Sequence, residues 1–300
     1  MQNINLTGHK GLVGTQIKYI LNTIDYCGII DDYNDYYNFL KNNQIDTIIH
    51  AAAKVGGILD NQFNKIDYYL KNSKLNNIVF EAAYKNNIKN FVNFSSTCVF
   101  PDEAPLPLKE SYMHDGPPFE GNDSYAYAKR MTQHLCGEAR KNGYNYFTIV
   151  PTNIFGPNDN FNVNKGHVLP ALIHKCYLAK NNNTNLEVWG TGGSLKEFIY
   201  SKDLAKITKV LLNTQFNYDS IIISNSEEIS VLECVEKIIK ILKFKNNIIF
   251  DKTKPEGKHR KQTDNSRLKS ILPDFKFTNI DEALNETIEW FIKNYNTARK

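Results

Sequence analysis

Short, uninterrupted apolar runs rich in β-branched residues punctuate the first half of the chain at Asn3–Leu6, Thr47–His50, Phe91–Ser95 and Tyr146–Val150. Between them the apolar positions recur every three to four residues, which predicts helices over Leu12–Leu21, Leu70–Lys85 and Ala126–Lys141. Strands buried on both faces read as continuous apolar runs, and their alternation with crossover helices is the pattern of an α/β, doubly wound parallel (Rossmann) sheet. After Pro151 the pattern changes. A Gly/Asn/Pro-rich loop leads to a helix from about His167 to Ala179, a strand at Leu186–Trp189, and helices near Val231–Leu242 and Asp281–Asn294. We read residues 1–155 as a dinucleotide-binding domain, with a returning segment around 197–226, and residues 156–300 mainly as a smaller α+β substrate-binding lid. No flexible linker or internal repeat separates them, so a cleft between the two is expected.

Composition narrows the function classes. With 300 residues, 41% hydrophobic and a net charge of +4, the chain reads as a folded globule and not as a polyanion-binding protein. Cys27, Cys98, Cys136, Cys176 and Cys234 are odd in number and scattered, with no CxxC pair. They read as free thiols of a reducing cytoplasm, and no His or carboxylate spacing suggests a metal site. The N-terminus lacks a signal-peptide layout, and no apolar run approaches the roughly 18 residues of a membrane span.

Gly8-His9-Lys10-Gly11-Leu12-Val13-Gly14 follows the first predicted strand and opens the first predicted helix. In that context the glycines allow a tight turn and close approach to a pyrophosphate, whose charge the helix N-terminal amides favour. The cofactor subtype stays open. Asp31 or Asp32 lies near the spacing of a carboxylate that binds the ribose hydroxyls of NAD(H), whereas Lys10 would pair with the 2′-phosphate of NADP(H).

Tyr125 and Lys129 fall one helical turn apart on one face, where an ammonium can lower the phenol's pKa. Tyr37 and Lys41 share that spacing, and one or two such pairs are expected by chance. Position favours Tyr125, because Tyr37 lies in what reads as an exposed connection, while Tyr125 opens a helix soon after the strand ending in Ser95-Ser96-Thr97-Cys98. Residues two apart in a strand face the same side, so Ser96 and Cys98 are expected to project together from its carboxyl end. Ser96 and Tyr125 would then hold a ketone oxygen, with Tyr125 as proton donor and Lys129 on the cofactor ribose. On the residues alone, Cys98 reads as a small core thiol. His167, at a predicted helix start, reads more readily as a capping residue than as a catalyst.

Taken together, GHKGLVG, AAAKVGGI, SSTCVFP, YAYAKRM, PTNIFGPNDNFN, GHVLPALIHK, VWGTGGSLKEFIYSKDLA and NYNTARK resemble, almost end to end, the GDP-L-fucose-forming branch of the extended short-chain dehydrogenase/reductase family. The resemblance implies NADPH-dependent 3,5-epimerisation and 4-keto reduction of GDP-4-keto-6-deoxy-D-mannose by a homodimer. It implies Ser96, Tyr125 and Lys129 for reduction, and Cys98 with His167 as the acid/base pair for epimerisation. On the cofactor it places Gly8, Lys10, Gly11, Leu12, Val13, Gly14, Ala51, Ala52, Ser95, Pro151, Asn153 and Ile154, together with Tyr125, Lys129 and His167. Toward the GDP-sugar it places Lys175, Trp189, Lys196 and Glu256. Glu256 stands where the family more often has Asp, and Lys10 and Lys196 stand where Arg is common, which keeps charge but loses the bidentate fork. The stretch from Gly14 to Ala51 is shorter than usual, trimming the second strand. Two rivals remain: a reductase or epimerase/reductase of another GDP-4-keto sugar such as a heptose, and a non-catalytic nucleotide-sensing module.

Overall fold

The computed structural model describes residues 2–254 and 256–300. Its strands are β1 (Ile4–Thr7), β2 (Thr47–His50), β3 (Asn90–Phe94), β4 (Asn145–Pro151), β5 (Asn153–Phe155), β6 (Leu186–Trp189), β7 (Leu195–Tyr200), β8 (Ser220–Ile223), β9 (Glu228–Ser230) and β10 (Ile248–Asp251). The helices are α1 (Leu12–Ile20), α2 (Tyr33–Asn42), α3 (Ile58–Phe63), α4 (Lys65–Lys85), α5 (Asp123–Lys141), α6 (Val168–Asn181), α7 (Ser201–Leu212), α8 (Val231–Leu242), α9 (Ser266–Ile271) and α10 (Ile280–Lys293).

Five strands form a parallel sheet in the order β1-β2-β3-β4-β8. Side-chain alternation sorts its residues onto two faces. Ile49, Val92 and Ile149 join α1 and α7 in one cluster. Ile48, Phe91 and Tyr146 join α2, α4 and α5 in the other. Both faces are therefore covered, which explains the unbroken apolar runs. The fifth strand arrives late in the chain, with Ile221 registered against Ile149.

The trimmed stretch after α1 leaves a visible mark. In place of a strand outside β1 there is a single parallel bridge, Ile4 to Thr23. The following α2 occupies the stretch read above as an exposed connection, a reading the structure corrects. Asp32 caps it by accepting from the Asp35 amide, and Tyr36 and Leu40 are buried one turn apart against the sheet.

A third cluster packs α6, α8 and α10 around β6 and β7, with Phe155, Phe161 and Phe291 at its centre. In the capping box of α8, Ser230 Oγ accepts from the Glu233 amide while Glu233 accepts from the Ser230 amide. The C-terminal segment returns to the loop before α6. The Phe161 amide donates to the Arg299 carbonyl at 2.7 Å, and Arg299 Nη2 donates to the Asn158 carbonyl at 2.7 Å. Among the described residues no helix is long and apolar enough to cross a membrane, and no group of three His, Cys, Asp or Glu could hold a metal.

Candidate active site

The chain leaves β1 toward Thr23 and returns to β2 on the other side, so the strand order reverses at β1 and opens a crevice at the carboxyl ends. Gly8 lies there with φ +75°, and a Cβ on it would stand 2.7 Å from the Ala52 amide nitrogen. Only glycine fits. A Cβ on Gly14 would stand 2.1 Å from the Gly8 carbonyl oxygen, so α1 starts directly against the loop. Gly11 begins α1 without a side-chain cap, leaving the first-turn amides for an anion. These features fit a pyrophosphate. Lys10 is exposed beside them, as is Asp31. Asp32, the other of the two candidate ribose ligands, places its Oδ1 on the α2 cap at 2.9 Å.

Beneath the loop runs a buried chain of hydrogen bonds. The Ala52 amide donates to Thr7 Oγ1 at 3.2 Å, Thr7 Oγ1 meets His50 Nδ1 at 2.8 Å, and His50 Nε2 meets Asn76 Oδ1 at 2.9 Å. Asn76 Nδ2 then donates to the Ala128 carbonyl at 3.2 Å. An amide oxygen only accepts, so Nε2 carries the imidazole proton and the Thr7 hydroxyl donates to Nδ1. Burial, reinforced by nearby Lys129, pushes His50 down to about 3. The imidazole is neutral. Sequence reasoning passed over this residue because a histidine ending an apolar strand has no distinctive spacing.

Ala128 precedes Lys129, which is 1% exposed and donates to the Phe94 carbonyl at 2.8 Å. Burial pushes its ammonium down to about 8. The ammonium stands 6.0 Å from the Tyr125 ring centroid. The expected lowering of the phenol pKa is reversed here: burial first, then the neighbouring Cys98, raises Tyr125 above the ordinary tyrosine value. Tyr125 is thus held protonated. Tyr37, its rival in spacing, is half-buried on α2, stacks on Tyr33 at 5.7 Å and packs against the cluster of α2, α4 and α5.

The expectation that Ser96 and Cys98 share a strand face also needs correction. β3 ends at Phe94; Cys98 lies in a 3-10 turn over Thr97–Val99, and Ser96 stands immediately before it. Ser96 Oγ caps this turn by accepting from the Cys98 amide at 3.3 Å. Before the turn, the Ser95 amide bonds to the Ile149 carbonyl, and its hydroxyl is buried without a partner among the described residues. Two residues missed in the sequence hold the turn. Arg130, buried on α5, donates to the Val99 carbonyl at 2.5 Å and the Gly116 carbonyl at 2.7 Å. Asn122 Nδ2 lies 2.9 Å from Cys98 Sγ.

His167 precedes α6 but caps nothing with its side chain, contrary to the capping reading. It is open to solvent, while the protein surrounding it lowers its imidazole pKa. The preceding loop is anchored to the AAAKVGGI segment. The Gly57 amide donates to the Lys165 carbonyl at 2.8 Å, and a Cβ on Gly57 would lie 2.6 Å from the Gly166 oxygen. Pro151 ends β4, while Asn153 and Ile154 form the start of β5, with Asn153 Nδ2 donating to the Glu197 carbonyl at 2.8 Å.

Farther out, Lys175 lies 4.1 Å from the Trp189 ring centroid and Lys254 lies 6.0 Å away. Lys196 donates to the Lys258 carbonyl at 2.6 Å, and burial pushes it down to about 8. Glu256 Oε1 accepts from the Thr191 and Gly192 amides at 2.5 and 3.1 Å, and this carboxylate fixes the turn after Trp189.

Residues 4–223 match the NAD dependent epimerase/dehydratase family, and the chain belongs to it. Within that family it is 38% identical to the GDP-L-fucose synthase of Dictyostelium discoideum, over 100% of this chain and 98% of that one. It is 30% identical to the GDP-L-fucose synthase of Escherichia coli K12, over 99% of each. The crystal structure of a GDP-L-fucose synthetase from Naegleria fowleri bound to NADP superposes with a TM-score of 0.90, at 36% identity, covering 100% of this chain and 95% of that one.

Proposed function

We propose that the protein is an NADPH-dependent epimerase/reductase that converts GDP-4-keto-6-deoxy-D-mannose to GDP-L-fucose. The observation that carries this reading is the placement of a thiol: Cys98 Sγ lies 2.9 Å from Asn122, three residues before Tyr125, its amide is bonded to Ser96 Oγ, and buried Lys129 follows one turn along the same helix. A simple ketone reductase needs the hydroxyls and the lysine. A thiol beside them supplies what epimerisation adds.

In this reading Ser96 and Tyr125 hold the ketone oxygen, Cys98 removes the protons on the flanking carbons, and His167 returns them to the opposite face. Stabilising the enolate oxygen makes those protons removable, and the same donors serve reduction. Tyr125, protonated across the neutral range, is the proton donor. The Gly8 to Gly14 loop, Lys10, Ala51, Ala52 and Ser95 would hold the dinucleotide, with Pro151, Asn153 and Ile154 at its nicotinamide end. When bound, NADPH supplies the hydride. Lys175 and Lys196 would meet the diphosphate, whose charge restores the protons that burial disfavours; Trp189 and the turn fixed by Glu256 line the same end.

The five free cysteines support a reducing, cytoplasmic setting. A homodimer is supported by the outer faces of α4 and α5, where Ile66 is 77% exposed, Leu70 59% and Met131 54%.

Incubation with NADPH and a panel of GDP-4-keto sugars, followed by product NMR, tests the assignment. GDP-L-fucose formed from the 6-deoxymannose derivative supports it. Turnover of a heptose derivative alone would transfer the enzyme to that substrate, and no NADPH consumption with any sugar would leave a binding module.

A further inference from the structure

Asn122 stands immediately before α5, where an asparagine side chain ordinarily accepts from a first-turn amide. It makes no such bond. Asp123 Oδ1 accepts from the Ser124 amide at 2.7 Å instead. Asn122 turns its Nδ2 to Cys98 Sγ at 2.9 Å, and its Oδ1 is buried without a partner among the described residues. Reversing the amide would repair nothing, because the NH₂ would then be bare and the oxygen would face a sulfur able to bond only through a thiol hydrogen. A thiolate only accepts. The orientation seen here makes the sulfur the acceptor, the role a thiolate fills best, and it leaves the Asn122 carbonyl unpaired among the described residues.

Both partners are held. A Cβ on Gly121 would lie 2.8 Å from Ile58 Cδ1, which pins the turn before α5, and Lys65 pairs with Asp123 at 3.3 Å. Arg130 holds the turn that carries Cys98 through the Val99 carbonyl.

We propose that Asn122 is a positioning residue for epimerisation: its amide N–H stabilises the Cys98 thiolate and aims the sulfur at the carbons beside the substrate ketone. This rests on the reading of Cys98 as the base. In that step the C–H bond breaks, its electron pair passes into the enolate whose oxygen Ser96 and Tyr125 hold, and the proton forms an S–H bond. The N–H···S contact is strongest before transfer and weakens as the thiol forms. Reprotonation of carbon from the opposite side consumes the enolate, and loss of the thiol proton resets the sulfur.

The test is the rate of iodoacetamide alkylation at Cys98 against pH, read by peptide mass spectrometry so that exposed Cys27 is scored separately. The ionisable groups already around the turn are Tyr125, Lys129 and Arg130 on α5, Lys65 with Asp123, Lys258 with Asp102, and His167 before α6; Asn122→Leu leaves all of them unchanged. Asn122→Leu keeps the shape and removes the donor. It makes Cys98 alkylation about tenfold slower on the acidic limb and lowers substrate deuterium exchange in step. Asn122→Asp, nearly isosteric, places a carboxylate at the sulfur and slows alkylation further. NADPH binding, followed by fluorescence, reports that each variant is folded. Graded displacement in the order wild type, Leu, Asp supports the proposal, and wild-type profiles in both folded variants overturn it. Cys98→Ser separates the two ideas: undiminished exchange there overturns the base assignment, while the alkylation profiles still decide the N–H···S contact.

Discussion

At the scale of single residues, the two reactions need different groups, and the structure allows them to be removed one at a time. Tyr125→Phe deletes the proposed proton donor and is expected to lower reduction by about two to four orders of magnitude while NADPH binding persists. Tyr37→Phe, on α2, leaves the rate unchanged; equal losses in both variants would defeat the assignment of the site. Cys98→Ser leaves the Ser96, Tyr125 and Lys129 groups in place but exchanges the proposed base for a very weak one. It stops deuterium uptake from D₂O beside the ketone, while slow reduction of the unepimerised sugar continues, giving a different stereoisomer by NMR. The spacing of Tyr125 and Lys129 was legible in the sequence, but the direction of the phenol's pKa was not. It depends first on burial and then on the neighbouring Cys98.

At the scale of elements, the chain from Ala52 through Thr7, His50 and Asn76 to Ala128 ties the glycine-rich loop, β2 and α4 to the helix that carries Tyr125 and Lys129. His50 has a folded pKa of about 3, far below its ordinary value near 6.5. As pH falls below that ordinary value, the unfolded chain binds a proton that the native state refuses, so stability declines between pH 6.5 and about 3. Urea unfolding of wild type and His50→Asn at a series of pH values should show wild type losing a few kcal/mol more over this window. Parallel curves would mean that His50 is protonated in the native state. The main βα alternation was legible because strands covered on both faces cannot hide their apolar content. Helix α2 was not: Tyr33–Asn42 buries only Tyr36 and Leu40 and otherwise reads as polar. The 3-10 turn at Cys98 was missed because the apolar run gives no sign of where β3 stops pairing, and Asn122 because its position before a helix predicts a cap, not a contact with sulfur.

At the scale of the whole molecule, the crevice is assembled from distant stretches of chain. The C-terminal Arg299 fastens the loop before His167, and that loop rests on Gly57. The apolar outer faces of α4 and α5 predict that Leu70→Glu, at a position 59% exposed, shifts sedimentation from dimer to monomer without unfolding the chain. A monomeric wild type would remove that expectation. The central claim is that one crevice both epimerises and reduces. Its most direct test is the wild-type reaction of GDP-4-keto-6-deoxy-D-mannose with NADPH in D₂O, followed by NMR of the product. The expected product is GDP-L-fucose carrying deuterium on both carbons that flanked the ketone. A reduced sugar of unchanged configuration, free of deuterium at those carbons, would contradict it.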